Sequence, residues 1–198
     1  METENKFKNK YRIKSARKLD WDYASDGWYF VTICTKNMEL FFGNITDGKM
    51  NLSEIGKIVE NYWQEIPKHF PFTELDEFTI MPNHTHGIIG INNYGRDGDL
   101  SRLGSRDKCN YLDANNRDAN RGGVTGKNNP MGKNGLSEII RWYKGRCKFE
   151  IGRDGDFAWQ PRFYDRIIRN EKELDKIRKY IFENVLKWEF DKNNPENF

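Results

Sequence analysis

Two hydrophobic periodicities alternate along this chain in a fixed order, and few folds accept that order. The run WYFVTICT at 28–35 is aromatic and β-branched and predicts a buried strand. Segments 41–45 and 50–52 flank Asp47-Gly48-Lys49 and predict a small hairpin. Ser53 then opens a helix in which Ile55, Ile58, Val59, Tyr62, Trp63 and Ile66 recur at helical spacing, with Pro67 closing it. Two strands follow at 75–81 and 84–91, joined by a turn at Pro82-Asn83. A helix over 136–151 collects Leu136, Ile139, Ile140, Tyr143, Cys147 and Ile151 on one face and Arg141, Lys144, Arg146 and Lys148 on the other. A strand at 159–168 precedes a last helix that starts at an Asn170/Glu173 capping box and carries a core stripe of Leu174, Ile177, Ile181, Val185 and Trp188. Strand, helix, two strands, helix, strand, helix predicts an α+β fold, a helix-backed antiparallel sheet of ferredoxin-like type.

Two segments stand outside this pattern. Residues 1–18 hold seven Lys/Arg against two Glu, a solvated arm or one that lies on a phosphate backbone, with Arg17 as a candidate contact. Residues 92–135 contain nine Asn and eight Gly with no period, too little apolar surface to offset ordering a backbone, and predict a long mobile loop. The whole, 1–198, is then one domain with an arm and an insertion. Its 36% apolar residues and 28 aromatics (6 Trp, 9 Tyr, 13 Phe) can build a sizeable core. A net charge of +3 excludes an extreme polycation and leaves room for a local basic face. No apolar run approaches the roughly 18 residues of a membrane span, and the polar start METENKFKNK has no signal-peptide core. Cys34, Cys109 and Cys147 are far apart and odd in number, which predicts free thiols in a reducing cytoplasm.

Histidine is scarce: His69, His84 and His86. The pair in MPNHTHGIIGI sits at i and i+2 of a strand, so both imidazoles share one face, a geometry that suits two ligands of one metal ion. Two structural histidines are the plain alternative, although neither position is expected to fill core. The flanks exclude several named sites. Ile88 stands where H-x-H-x-D or a histidine triad needs an acid or a third His, no second H-x-T/S unit exists, and no G-x-x-x-x-G-K-[ST] loop is present. On the last helix Tyr180 and Asn184 are one turn apart at the edge of the apolar stripe. A lone tyrosine there is equally an amphipathic core residue with a wet hydroxyl.

Together the two clusters become specific. MPNHTHGII resembles the HUH motif of single-strand tyrosine transposases, and WQPRFYDRIIRNEKELDKIRKYIFEN resembles the carboxy-terminal signature of their REP-associated branch. YFVTICTKN with Phe42-Gly43 is similar to that family's first strand and turn. The resemblance implies an HUH-type ferredoxin-like fold, His84 and His86 as metal ligands, Asn184 as a polar third ligand, and Tyr180 as nucleophile. Thr85, Val185 and the long insertion depart from the family's usual hydrophobe, proline and short loop. Mixed nitrogen and oxygen ligation without thiolates suits Mg²⁺ or Mn²⁺.

The chemistry expected is nicking and rejoining of single-stranded or hairpin DNA through a 5′-phosphotyrosine, by a monomer or homodimer. Lys144, Arg146, Lys148, Arg162 and Arg166, interleaved with Trp142, Tyr143, Trp159 and Phe163, are the expected DNA contacts. Tyr164, beside Asp165, is the rival nucleophile, disfavoured because Arg162 and Arg166 rather than ligands flank it on its strand face. The competing reading from another class is a non-catalytic ferredoxin-like single-strand binding module. A hydrolase using activated water ranks third, because the sequence shows no carboxylate near the histidines.

Overall fold

A computed structural model of the chain describes residues 23–92, 135–152, 155–191 and 193–197. The basic arm with Arg17, the loop expected over 92–135 apart from its two end residues, and Cys109 lie outside the described residues.

Among the described residues, six strands and four α-helices follow one another as β1 (Gly27–Cys34), β2 (Gly43–Thr46), β3 (Lys49–Leu52), α1 (Glu54–Gln64), α2 (Ile66–His69), β4 (Thr73–Met81), β5 (His84–Ile91), α3 (Leu136–Ile151), β6 (Tyr164–Ile168) and α4 (Glu171–Glu183). The main sheet has the order β4-β5-β1-β6, antiparallel throughout. This is the ferredoxin-like arrangement that the order of elements predicts. β2 and β3 form a separate hairpin whose turn residues Asp47 and Gly48 have φ of 53° and 69°, as a tight hairpin connection requires.

Three local expectations need correction. Pro67 does not close the long helix; α1 ends at Gln64, and Pro67 lies in the first turn of α2, where its missing N–H costs nothing. The strand expected over 159–168 pairs only from Tyr164. Trp159 makes one isolated bridge to Thr35, and Pro161 has no N–H to extend a ladder. Trp159 is held instead by its indole N–H, which donates to the Lys144 carbonyl, and by packing on Phe42, Tyr143 and Phe157. The last helix stops at Glu183, and Val185–Phe190 winds as a 3₁₀ turn, so the core stripe ends at Ile181 and leaves Val185 and Trp188 half-buried.

Side chains alternate across β1 and β5, and the two faces differ. Tyr29, Val31, Ile33, Ile89 and Ile91 join Val59, Trp63, Ile139, Tyr143 and Cys147 of α1 and α3 in the larger core. Gly87 is required there: a Cβ would lie 2.2 Å from Trp63 Cζ2, and the Trp63 ring also stacks on Phe78 at 4.5 Å. On the opposite face Phe30, Ile88 and Ile168 meet Leu174, Ile177 and Ile181 of α4 in a smaller core. Arg178 fastens α4 to β4 through a two-pronged bond to Asp76, with Nε to Oδ1 at 2.9 Å and Nη2 to Oδ2 at 2.6 Å. No helix among the described residues is long and apolar enough to cross a membrane.

Candidate active site

Beyond the small core, the α4 face of the sheet turns polar. His84 and His86 project there from β5, as the period of two dictates. Both are buried, 0% and 3% exposed, which corrects the expectation that they fill no core. Their Nε2 atoms are 3.1 Å apart. His84 Nδ1 pairs with Asn83 Oδ1 at 2.8 Å, and His86 Nδ1 with Thr32 Oγ1 at 2.8 Å across the β1–β5 register.

A third donor arrives from the C-terminal end. Asp191, next after the 3₁₀ turn, puts Oδ2 3.9 Å from His84 Nε2. Among the described residues, His84, His86 and Asp191 form one buried group whose ligand atoms all lie within 4.8 Å of one another. Asp191 escapes the sequence pattern because the apolar stripe predicts a helix continuing past Asn184; the break into a 3₁₀ turn is what carries the carboxylate back. No periodic signal marks it. Its presence also removes the ground for ranking a water-activating hydrolase last.

The donor set fits a divalent cation. Adjacent ligands around a small octahedral ion with bonds of roughly 2.0–2.1 Å stand about 3 Å apart, close to the His84–His86 separation. Two imidazole nitrogens and a buried carboxylate oxygen converging on one point offer the mixed nitrogen and oxygen donors that a divalent cation takes. The described cysteines, Cys34 and Cys147, form no disulfide and lie outside the group.

Tyr180 reaches this cluster from α4. Its hydroxyl is 3.4 Å from His86 Nε2, and its ring sits edge-on to His86 at 5.3 Å and to Phe30 at 6.0 Å. At 44% exposed it remains open to a substrate. Burial pushes its phenol pKa up, the Asp191 charge adds to that, and the neighbouring Asn184 amide acts the other way. Asn184 is buried one turn on, and its Nδ2 falls short of a formed hydrogen bond. Tyr164 pairs with Thr32, which also pairs with His86, so this rival shares the histidine face after all. It stands two strands away, roughly 10 Å at the usual strand spacing, whereas Tyr180 touches the imidazole.

Among the described residues, the expected DNA contacts are not brought together. Lys144, Arg146 and Lys148 lie on α3, on the other side of the sheet. Lys144 Nζ bonds the Gln160 and Arg162 carbonyls, with its pKa lowered to about 8 by burial, and Lys148 Nζ bonds the Gly155 and Phe157 carbonyls. Arg146 covers the rings of Tyr62 and Phe149. Arg166 shares the histidine face through its pairing with Phe30 and is held by Glu173; Arg162 lies exposed just before β6.

A protein of Haemophilus influenzae described as uncharacterized is 35% identical over 184 residues, covering 90% of this chain and 91% of that one. The chain belongs to that protein's family. No family model matches. Among solved structures, a REP-associated tyrosine transposase bound to a REP hairpin is similar at a TM-score of 0.55 and 17% identity, over 91% of this chain and 77% of that one. The chain therefore has the fold of the REP-associated tyrosine transposases, and that fold agrees with the resemblance its motifs carry.

Proposed function

We propose that the protein is a divalent-metal-dependent transposase-type enzyme that nicks and rejoins single-stranded or hairpin DNA, with Tyr180 as nucleophile. The observation that carries this reading is the approach of the Tyr180 hydroxyl to 3.4 Å from His86 Nε2, inside a buried His84–His86–Asp191 group. The similar solved structure, bound to a REP hairpin, supports the choice of DNA.

His84, His86 and Asp191 would hold the cation, with Asn184 as a further oxygen donor. When bound, Mg²⁺ or Mn²⁺ supplies Lewis-acid polarisation of a phosphate oxygen and positive charge beside the phenol. Tyr180 Oη attacks phosphorus; the P–O3′ bond breaks, the phenol proton is released, and the 3′ oxygen leaves and takes up a proton. The product is a 5′-phosphotyrosine, which keeps the energy of the broken ester and allows resealing without a nucleotide. Burial and the Asp191 charge raise the phenol pKa in the free protein, and the neighbouring Asn184 amide acts the other way. Arg162 and Arg166 are the basic side chains best placed for the backbone; Arg17 is proposed as a further contact of the arm.

Asp191 also supports a second reading, in which the same centre activates water and releases a 5′-phosphate. Incubation with a hairpin-containing single-stranded oligonucleotide and Mn²⁺ separates the two. A covalent protein–DNA band that disappears with EDTA is expected. Cleavage to a free 5′-phosphate with no band at any time would replace transfer by hydrolysis, and cleavage undiminished in chelator would remove the metal.

A further inference from the structure

Asn83, in the turn between β4 and β5, is wholly buried, and its amide is committed at both ends. Nδ2 donates to the Met38 carbonyl at 3.0 Å and to the Asn193 carbonyl at 2.7 Å. Two carbonyl partners identify that end as nitrogen, so the group facing His84 Nδ1 at 2.8 Å is the amide oxygen. An amide oxygen only accepts. His84 Nδ1 must therefore carry the proton, and the neutral ring keeps its lone pair on Nε2, the atom aimed at His86 and Asp191.

The second tie acts on the carboxylate. The Asn193 N–H donates to Asp191 Oδ1 at 2.7 Å, leaving Oδ2 on the His84 side at 3.9 Å. The side chain that fixes the proton of one donor thus also docks the turn that orients another, across 110 positions of sequence. Thr32, the partner of His86 Nδ1, is different in kind. A hydroxyl both donates and accepts, so it leaves the tautomer of His86 free to change when a ligand arrives.

We infer that Asn83 is the positioning residue of the metal centre. It locks His84 as the Nδ1–H tautomer and holds the Asp191 turn, so that Nε2 and Oδ2 converge on a divalent cation. The cation part rests on the metal reading of the site; the tautomer part does not. Nitrogen-15 imidazole spectra of the metal-free full chain should show His84 as Nδ1–H, and an Nε2–H tautomer would overturn the inference without any variant. Calorimetric titration with Mn²⁺ should then show Asn83→Ala binding roughly ten- to a hundredfold more weakly than wild type. Asn83→Asp retains an acceptor for His84 but loses both donations, and should keep the tautomer while still binding more weakly. Unchanged Mn²⁺ affinity in Asn83→Ala overturns the positioning role while leaving the metal reading intact. A wild type that binds no Mn²⁺ overturns the metal reading and the cation part together, with the spectrum still deciding the tautomer.

Discussion

The two faces of the sheet use the same strands differently. Under α1 and α3, β5 presents Thr85, Gly87, Ile89 and Ile91 to a continuous aromatic and aliphatic core, and Gly87 leaves out a side chain so that Trp63 can lie against the backbone. Under α4, the same strand presents Ile88 to a small apolar group and His84 and His86 to a buried polar one. The first face is closed on itself. The second is closed only as far as Ile181; Tyr180 touches His86 and Asp191 lies beside His84, groups that apolar packing alone does not call for. One face supplies the rigidity that the other needs to hold donors a few ångströms apart.

Breaking the first face should cost most. Trp63→Ala removes a fully buried ring and should lower stability by about 3–5 kcal/mol in urea unfolding, abolishing activity with the fold. Loading the second face should have a smaller and opposite effect. Mn²⁺ at about one hundred times its dissociation constant should add ~2.7 kcal/mol to wild type and nothing to His84→Ala, read as a shift in melting temperature. Next comes Gly87→Ala, whose methyl would overlap Trp63; roughly 1–3 kcal/mol of overpacking is expected, visible in the urea midpoint.

The junction between the faces is the Arg178–Asp76 pair. The Arg178 guanidinium holds the Asp76 carboxyl below its ordinary value of 3.8. A lowered folded pKa means stability that is fully present above the ordinary value and is lost as pH falls from there through the lowered folded one. Asp76→Asn should therefore cost about 1 kcal/mol at neutral pH, with the difference from wild type vanishing in acid below the carboxylate range. A difference constant down to strong acid would show that the ion pair contributes nothing.

Much of this division was legible in residue pattern. The step-three and step-four recurrence of Val59, Trp63, Ile139 and Tyr143 marks helix faces that any sheet would bury, and the i, i+2 spacing of His84 and His86 fixes their common face. What escaped depends on where the chain turns. Asp191 joins the site because the helix gives way to a 3₁₀ turn at Asn184, a change that a continuing apolar stripe conceals. Asn83 reads as a turn residue, and its bond to Asn193 needs both ends of the fold in place. The basic side of α3 is visible in the sequence, whereas the bonds of Lys144 and Lys148 to backbone carbonyls depend on the fold.

Covalent chemistry on the histidine face is proposed to run through Tyr180. Tyr180→Phe removes a single oxygen from a side chain 44% exposed, so stability should change by less than about 0.5 kcal/mol. With end-labelled hairpin-containing single-stranded DNA and Mn²⁺, Tyr180→Phe should still bind but yield no covalent protein–DNA band, while Tyr164→Phe keeps the band. A band that persists in Tyr180→Phe and vanishes in Tyr164→Phe would contradict the account.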